Sequence, residues 1–183
     1  MIVALIGPRG AGKTTIGRRL GEMLGWPVFS TDAIVAEKAG KSISRIVAET
    51  GWSSFREKES ATLTEVTRRV AELPAGQGLV LDCGGGLVLE ADNRLWLREY
   101  AWCVYLVASP EVLAARTTPD PHRPPLTELG DPVREATVTL AKREPLYRGL
   151  AQLVLETGSL GIEACVTVLQ QWVMKKCEIC PVP

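Results

Sequence analysis

Residues 7–14 constrain the fold of this chain more than any other segment; they read Gly-Pro-Arg-Gly-Ala-Gly-Lys-Thr. Glycines, a lysine and a hydroxyl residue at this spacing are typical of a loop whose main-chain N–H groups hold the phosphates of a nucleotide. An apolar run precedes the loop at residues 2–6, and apolar residues at helical spacing follow it between residues 16 and 24. Because such a loop joins a strand to a helix, the sequence predicts a nucleoside triphosphate site at the end of a buried strand.

The chemistry of this loop depends on a few residue types. Gly10 and Gly12 permit backbone angles that turn several N–H groups toward one point. Lys13 can reach the β- and γ-phosphates, and the hydroxyl of Thr14 can bind Mg²⁺. ATP and Mg²⁺ are therefore the expected cofactors.

The composition indicates one globular domain without a general affinity for nucleic acid. The chain has 183 residues, 46% of them hydrophobic and 23% charged, and its formal net charge is zero. This length supports one core, and a neutral protein has no overall attraction to nucleic acid or to an anionic membrane. The sequence opens on the first predicted strand, contains no apolar run of membrane-spanning length and has an odd number of cysteines, five. These features predict a cytoplasmic protein with reduced thiols.

Strand and helix patterns alternate along the chain. Strands are predicted at residues 2–6, 27–30, 79–82, 103–107 and 153–155. Helices are predicted after the phosphate loop and at residues 32–39, 43–49, 53–72, 94–100, 110–116, 132–144 and 162–173. A proline-rich loop is expected at residues 117–125, and Pro145 is expected to end the helix that precedes it. The order predicts an α/β fold whose parallel sheet has helices on both faces and ligands at the carboxyl ends of its strands.

Four polar or glycine-rich features indicate a second substrate beside the nucleotide. Asp32, Arg56 and the glycine triplet at residues 84–86 are expected at the same edge of the sheet, and Arg143 lies near the predicted end of a later helix. One carboxylate and two guanidinium groups suit a small hydroxylated acid, because arginine binds a carboxylate through two hydrogen bonds and aspartate can accept a hydroxyl proton. The alternative for each arginine is a surface ion pair.

In these motifs, taken in order, the chain resembles the shikimate kinases, and in particular the second isoenzyme of enteric bacteria. The likeness covers nearly the whole chain. The motifs that carry it are residues 7–18, Thr31-Asp32, Gly51-Trp52, Phe55-Arg56, residues 84–86, Arg123-Pro124 and residues 143–147.

The resemblance implies a three-layer phosphate-loop kinase fold, with a central parallel five-stranded sheet flanked by helices. It implies a single kinase domain over residues 1–176, with a substrate-binding helical region at about 32–62 and a lid at about 116–127, followed by a tail at 177–183. It also implies transfer of the γ-phosphoryl group of ATP to the 3-hydroxyl of shikimate, a step toward chorismate and the aromatic amino acids. A monomer is expected, with ATP and shikimate as its partners.

The resemblance further implies a role for each site residue. The catalytic residues would be Lys13, Asp32 and Arg123, with Asp32 orienting or deprotonating the attacking hydroxyl and Arg123 moving with the lid. Shikimate would be bound by Asp32, Arg56, Gly84, Gly85, Gly86 and Arg143, the two arginines holding its carboxylate. ATP would be bound by Gly10, Ala11, Gly12, Lys13, Thr14, Thr15, Arg116 and Arg123, with Arg116 stacked on adenine.

The chain departs from the family pattern at one point that concerns Mg²⁺. The family usually has an aspartate two positions before Asp32, where it supports the metal through water, and this chain has Ser30. In turn, Asp82 ends the third predicted strand, where the family usually has a small or apolar residue. Our hypothesis is that Asp82 supplies the missing charge beside Thr14, because other phosphate-loop enzymes have an aspartate at such a strand end. The alternative is that Ser30 weakens metal support and Asp82 caps a turn.

Two other functions remain open from the sequence. A kinase for another small metabolite, such as gluconate, would share the loop and the layered fold. A binding protein that senses nucleotide or shikimate without turnover would also share them, and Ser30 is the feature that favours it.

Overall fold

Five parallel strands form the centre of the structure, a computed structural model that describes residues 1–117 and 130–179. Their order across the sheet is β2-β3-β1-β4-β5, and all four pairings are parallel. The strands are β1 (Ile2–Ile6), β2 (Val28–Ser30), β3 (Leu79–Asp82), β4 (Ala101–Val107) and β5 (Leu153–Glu156). The predicted parallel five-stranded sheet is therefore confirmed.

Helices cover both faces of this sheet. In the described residues they are α1 (Lys13–Leu24), α2 (Thr31–Ala39), α3 (Ile43–Ala71), α4 (Ala91–Tyr100), α5 (Pro110–Arg116), α6 (Pro132–Leu150) and α7 (Ile162–Ile179), with a short 3-10 helix at Leu87–Leu89. Alternate side chains of β1 enter two separate cores: Ala4 and Ile6 face one, and Val3 and Leu5 face the other. Burial on both faces explains why β1 is apolar throughout and confirms the three layers.

The helical region after β2 forms a smaller unit beside the sheet. Its α3 runs through Gly51, whose backbone is not helical, with φ of 77° and ψ of 171°. The helix is therefore kinked there and corresponds to the two helices predicted at 43–49 and 53–72. Val35 of α2 packs with Ile46 and Phe55 of α3 in a core of their own. Because of the kink, α3 both covers the sheet and packs against α2 beside it.

Pro145 does not end α6, which continues to Leu150, so that prediction is wrong. Proline has no N–H for the helical hydrogen bond and is costly inside a helix. Two buried residues of the following turn offset that cost: Tyr147 stacks on Tyr105 with ring centroids 5.1 Å apart, and Leu150 joins the core. Arg143 therefore lies inside a continuous helix.

The carboxyl-terminal part of the chain also differs from expectation. Helix α7 runs to Ile179, beyond the predicted end at residue 173 and into the segment predicted as a tail. The predicted lid lies almost entirely outside the described residues, as does Arg123. Among the residues that the structure describes, every helix is too short or too polar to cross a lipid bilayer.

Replacing Pro145 by alanine tests the account of α6. Pro145 is exposed, so the substitution restores a helical N–H without removing core contacts. We expect the free energy of unfolding to rise by about 1–3 kcal/mol, because proline costs about 3 kcal/mol more than alanine inside a helix. Proline also restricts the unfolded chain, so replacing it gives back part of that gain. Urea unfolding measures it, with Lys142→Ala on the same helix as the control. A less stable Pro145→Ala protein would contradict this account.

Candidate active site

The candidate site lies at the edge of the sheet where three neighbouring strands end. The phosphate loop follows β1, Thr31 and Asp32 follow β2, and the glycine triplet at residues 84–86 follows β3. Asp82 is the register partner of Leu5 on one side and of Ser30 on the other. Segments that are far apart in sequence therefore meet at this edge, as the sequence predicts.

The phosphate loop has the geometry of an anion site. Gly10 and Gly12 adopt left-handed backbones, with φ of 84° and 90°, and Gly12 is the N-cap of α1. The helix thus points its positive end into the loop. The ammonium group of Lys13 is buried and donates to the carbonyl oxygen of Pro8 at 2.8 Å, so it is held within the loop at the mouth of the site.

Thr14 and Asp82 form the part of the site that suits a hard cation. The hydroxyl of Thr14 donates to Oδ2 of Asp82 at 2.7 Å, and the Asp82 side chain is buried. Ser30 instead caps α2, where its hydroxyl accepts from the N–H of Ala33 at 3.4 Å. The described residues contain no cluster of three or more acidic, histidine or cysteine ligands, but Mg²⁺ needs only one or two protein oxygens beside water and phosphate. The pair therefore fits Mg²⁺.

A cleft of about 430 Å³ lies between the phosphate loop and the residues Arg116 and Thr157. Gly10, Ala11, Gly12, Lys13, Thr14, Thr15 and Arg116 line it. Arg116 is fixed by Thr157, which follows β5: its guanidinium donates to the carbonyl oxygen of Thr157 at 2.7 Å and to the hydroxyl at 3.3 Å. The buried hydroxyl of Thr157 lies 3.1 Å from the carbonyl oxygen of Ala11. Sequence reasoning missed Thr157, since a threonine in the turn after β5 has no distinctive local signal.

On the inner side of the loop, a pocket brings together Lys13, Thr14, Asp32 and the two predicted arginines. Arg56 is mostly buried, with a side chain 13% exposed, and its guanidinium lies 5.2 Å from the centre of the Trp52 ring. Arg143 reaches in from α6 and donates to the carbonyl oxygen of Gly85 at 3.1 Å. Both arginines line this pocket, and the ion pair that Arg56 forms is with the buried Glu59 and not at the surface.

The glycine triplet is crowded by protein groups as well as open to a ligand. A Cβ atom on Gly84 would collide with carboxylate oxygens of Asp32 and Glu59, and one on Gly86 would collide with the guanidinium of Arg56. The carbonyl oxygen of Gly85 accepts from Tyr147 Oη at 2.5 Å as well as from Arg143. None of the three glycines has a positive φ, so close approach explains why glycine is needed here.

Glu59 is the second site residue that sequence reasoning missed. Its side chain is completely buried, and one oxygen accepts a hydrogen bond from Arg56 in an ion pair. Burial raises the pKa of Glu59 to about 7, the nearby charge of Asp32 adds to the rise, and Arg56 opposes it. The signal in the sequence was its position three residues after Arg56, which places both on one face of α3.

Comparison with known proteins agrees with this geometry. A family model described as Shikimate kinase matches residues 9–174. A shikimate kinase of Oleidesulfovibrio alaskensis is 44% identical over 157 residues, which are 84% of this chain and 87% of that protein. Shikimate kinase 2 of Yersinia enterocolitica is 41% identical over 158 residues, covering 84% and 85%. A structure of shikimate kinase from Acinetobacter baumannii in complex with shikimate aligns with a TM-score of 0.86 and 34% identity, covering 96% of this chain and 93% of that one.

These similarities extend from the phosphate loop, through the pocket that contains Asp32, Arg56 and Arg143, to α7. They confirm the phosphate-loop kinase fold. The same residues that build the two sides of the site lie inside the matched region. The chain therefore belongs to the shikimate kinase family.

Proposed function

We propose that this protein transfers the γ-phosphoryl group of ATP to the 3-hydroxyl of shikimate, giving shikimate 3-phosphate and ADP. The observation that carries the proposal is that Asp32, Arg56 and Arg143 share a pocket with Lys13 and Thr14 of the phosphate loop. A carboxylate-bearing alcohol bound to the arginines would present its hydroxyl to Asp32 and toward the phosphates. The shikimate bound to the related Acinetobacter enzyme supports this choice of acceptor.

The reaction is mainly one of positioning and charge stabilisation. The main chain from Gly10 to Gly12 and the ammonium of Lys13 hold the β- and γ-phosphates. Asp32 accepts the hydroxyl proton as the hydroxyl oxygen bonds to the γ-phosphorus, and the bond to the bridging oxygen of ADP breaks. In this proposal the acceptor, once bound beside Asp32 and the two arginines, takes the place of water near the γ-phosphate, which limits hydrolysis.

We assign Mg²⁺ support to Thr14 and Asp82. The metal supplies positive charge to the phosphate oxygens when bound. Thr14 offers a hydroxyl ligand, and Asp82 stands beside it on the strand next to the one that carries Ser30. Because Ser30 and Asp82 are register partners on adjacent strands, Asp82 could supply from β3 the carboxylate that the family usually has at position 30 on β2. We assign Arg116 to the adenine side of the cleft. Arg123 lies outside the described residues, and its role stays a prediction.

Measuring ADP release with shikimate and with gluconate tests the proposed function. We expect turnover with shikimate and ATP, no turnover with gluconate, and a loss of at least about 100-fold in kcat for Lys13→Met because a preorganised cation is removed. Turnover of gluconate alone would favour the other small-metabolite kinase. Shikimate binding in calorimetry without ADP release would favour the binding protein.

Arg143→Ala tests the arginine pair. Loss of a charge-assisted hydrogen bond worth about 2 kcal/mol should raise KM for shikimate by about 30-fold, with KM for ATP changed much less. Steady-state kinetics measures both constants. Arg148→Ala is the matched control, because Arg148 lies on the same helix, is exposed and pairs with Glu144. An unchanged KM for shikimate in Arg143→Ala would argue against the clamp.

Asp82→Asn tests the metal assignment. We expect the Mg²⁺ concentration for half-maximal activity to rise by about 10-fold or more, because the amide has no negative charge. Adding Ser30→Asp should restore much of the affinity by returning a carboxylate to the adjacent strand. Calorimetry of Mg²⁺-dependent ADP binding gives a measurement independent of turnover. Identical Mg²⁺ dependence in wild type and Asp82→Asn would leave Asp82 as a turn-capping residue.

A further inference from the structure

One carboxylate oxygen of Glu59 takes no part in the ion pair with Arg56. Its Oε2 accepts from Nη1 of Arg56, whereas its Oε1 is buried and has no hydrogen-bond partner among the described residues. A buried acceptor without a partner is costly, so such an atom calls for a physical reason. The mechanism derived above makes no use of this oxygen.

The missing side chain of Gly84 determines what this oxygen faces. A Cβ atom built on Gly84 would meet Oε1 of Glu59 and Oδ1 of Asp32 before any other atom. Both oxygens therefore lie on the same side of one glycine, and both Asp32 and Glu59 line the pocket. Two carboxyl groups this close cannot both stay ionised cheaply, and one shared proton removes the repulsion.

We propose that Glu59 is a positioning residue of the acceptor site, and that binding of an acceptor carboxylate places a proton on its oxygen that faces Asp32 across Gly84. The inference rests on the proposed function, since it needs an acid bound between the arginines. Protonated Glu59 would donate to Asp32 and would leave the Arg56 guanidinium available to the acceptor carboxylate. Ionised Glu59 would instead compete with the acceptor carboxylate for Arg56.

Several elements bring charged or titratable groups near Glu59, including Lys13 of the phosphate loop and Asp82 at the end of β3, which line the same pocket. Arg56 precedes it on α3, Asp32 faces it from α2, Arg143 acts from α6, and the buried thiol of Cys83 and hydroxyl of Tyr147 are the neutral titratable groups nearby. Burial is the largest influence on Glu59 and raises its pKa to about 7. The group therefore titrates close to neutral pH, where a nearby charge changes its protonation most.

The direction of the change on binding follows from these charges. An acceptor carboxylate between Arg56 and Arg143 adds a negative charge near Glu59 and engages the guanidinium that stabilises its ionised form. Both effects raise the pKa of Glu59 further. Binding of shikimate at pH 7 should therefore take up a fraction of a proton per site.

Calorimetric titration of shikimate at pH 7, in buffers of different ionisation enthalpy, measures this uptake. We expect roughly 0.3–0.5 proton for wild type and near zero for Glu59→Gln, whose amide can still donate to Asp32 but cannot titrate. Glu57→Gln is the matched control, since Glu57 is exposed on the same helix, and it should behave as wild type. The presence of binding heat tests the proposed function, and its buffer dependence tests this inference.

Two results would overturn the inference: wild type that binds shikimate without proton uptake, or Glu59→Gln that takes up as much as wild type. If Glu59→Gln fails to fold, carbon-13 NMR of wild type labelled at glutamate carboxyl carbons gives the answer. One glutamate should titrate near pH 7 and shift to higher pH with shikimate, while Glu65, paired with Arg68 and Arg69, titrates far lower. Titration of every glutamate below pH 6 would refute the proposal.

Discussion

The parallel alignment of β2, β3 and β1 is the constraint on which the site depends. Parallel strands expose all their carboxyl ends at one edge, so residues separated by tens of positions become neighbours there. Because β3 lies between the other two, its last residue is in register with both Leu5 and Ser30. Asp82 consequently stands between the nucleotide side and the acceptor side, and Gly84 to Gly86 continue from it into the acceptor pocket. A carboxylate at this strand end can reach Thr14 without any change in the fold.

Close packing against the glycine triplet joins the three helical elements of the acceptor pocket. Gly84 leaves space for groups from α2 and α3, the Gly85 carbonyl oxygen accepts from two donors on α6, and Gly86 leaves space for Arg56. A methyl group at Gly84 or Gly86 would displace side chains of the proposed acceptor site: Asp32 and Glu59 at Gly84, and Arg56 at Gly86. The triplet therefore acts as a spacer that fixes distances between helices, and its conformational freedom is secondary.

The sequence predicts the elements whose signal is local and misses those that depend on tertiary packing. The phosphate loop is recognisable because its chemistry lies in eight consecutive residues, and β1 because it is continuously apolar. Glu59 resembles a surface glutamate in a charged helix, and only the fold shows that it is buried. Pro145 misled the prediction of α6 because a local rule was outweighed by the burial of Tyr147 and Leu150. The register of β2 with β3, which relates Ser30 to Asp82, has no trace in the sequence.

The charge of the acceptor pocket bears on which acids it can hold. Arg56 and Arg143 bring two positive charges, and Asp32 and Glu59 bring two carboxyl groups to the same space. With both carboxyl groups ionised these four charges cancel, so the net charge of the pocket then comes from Arg9, Lys13 and Asp82, which also line it. A proton on Glu59 would add one positive charge to the set beside the two arginines. That change equals the charge of one acceptor carboxylate, so the protonation of Glu59 would match the charge around the arginines to the ligand that they hold.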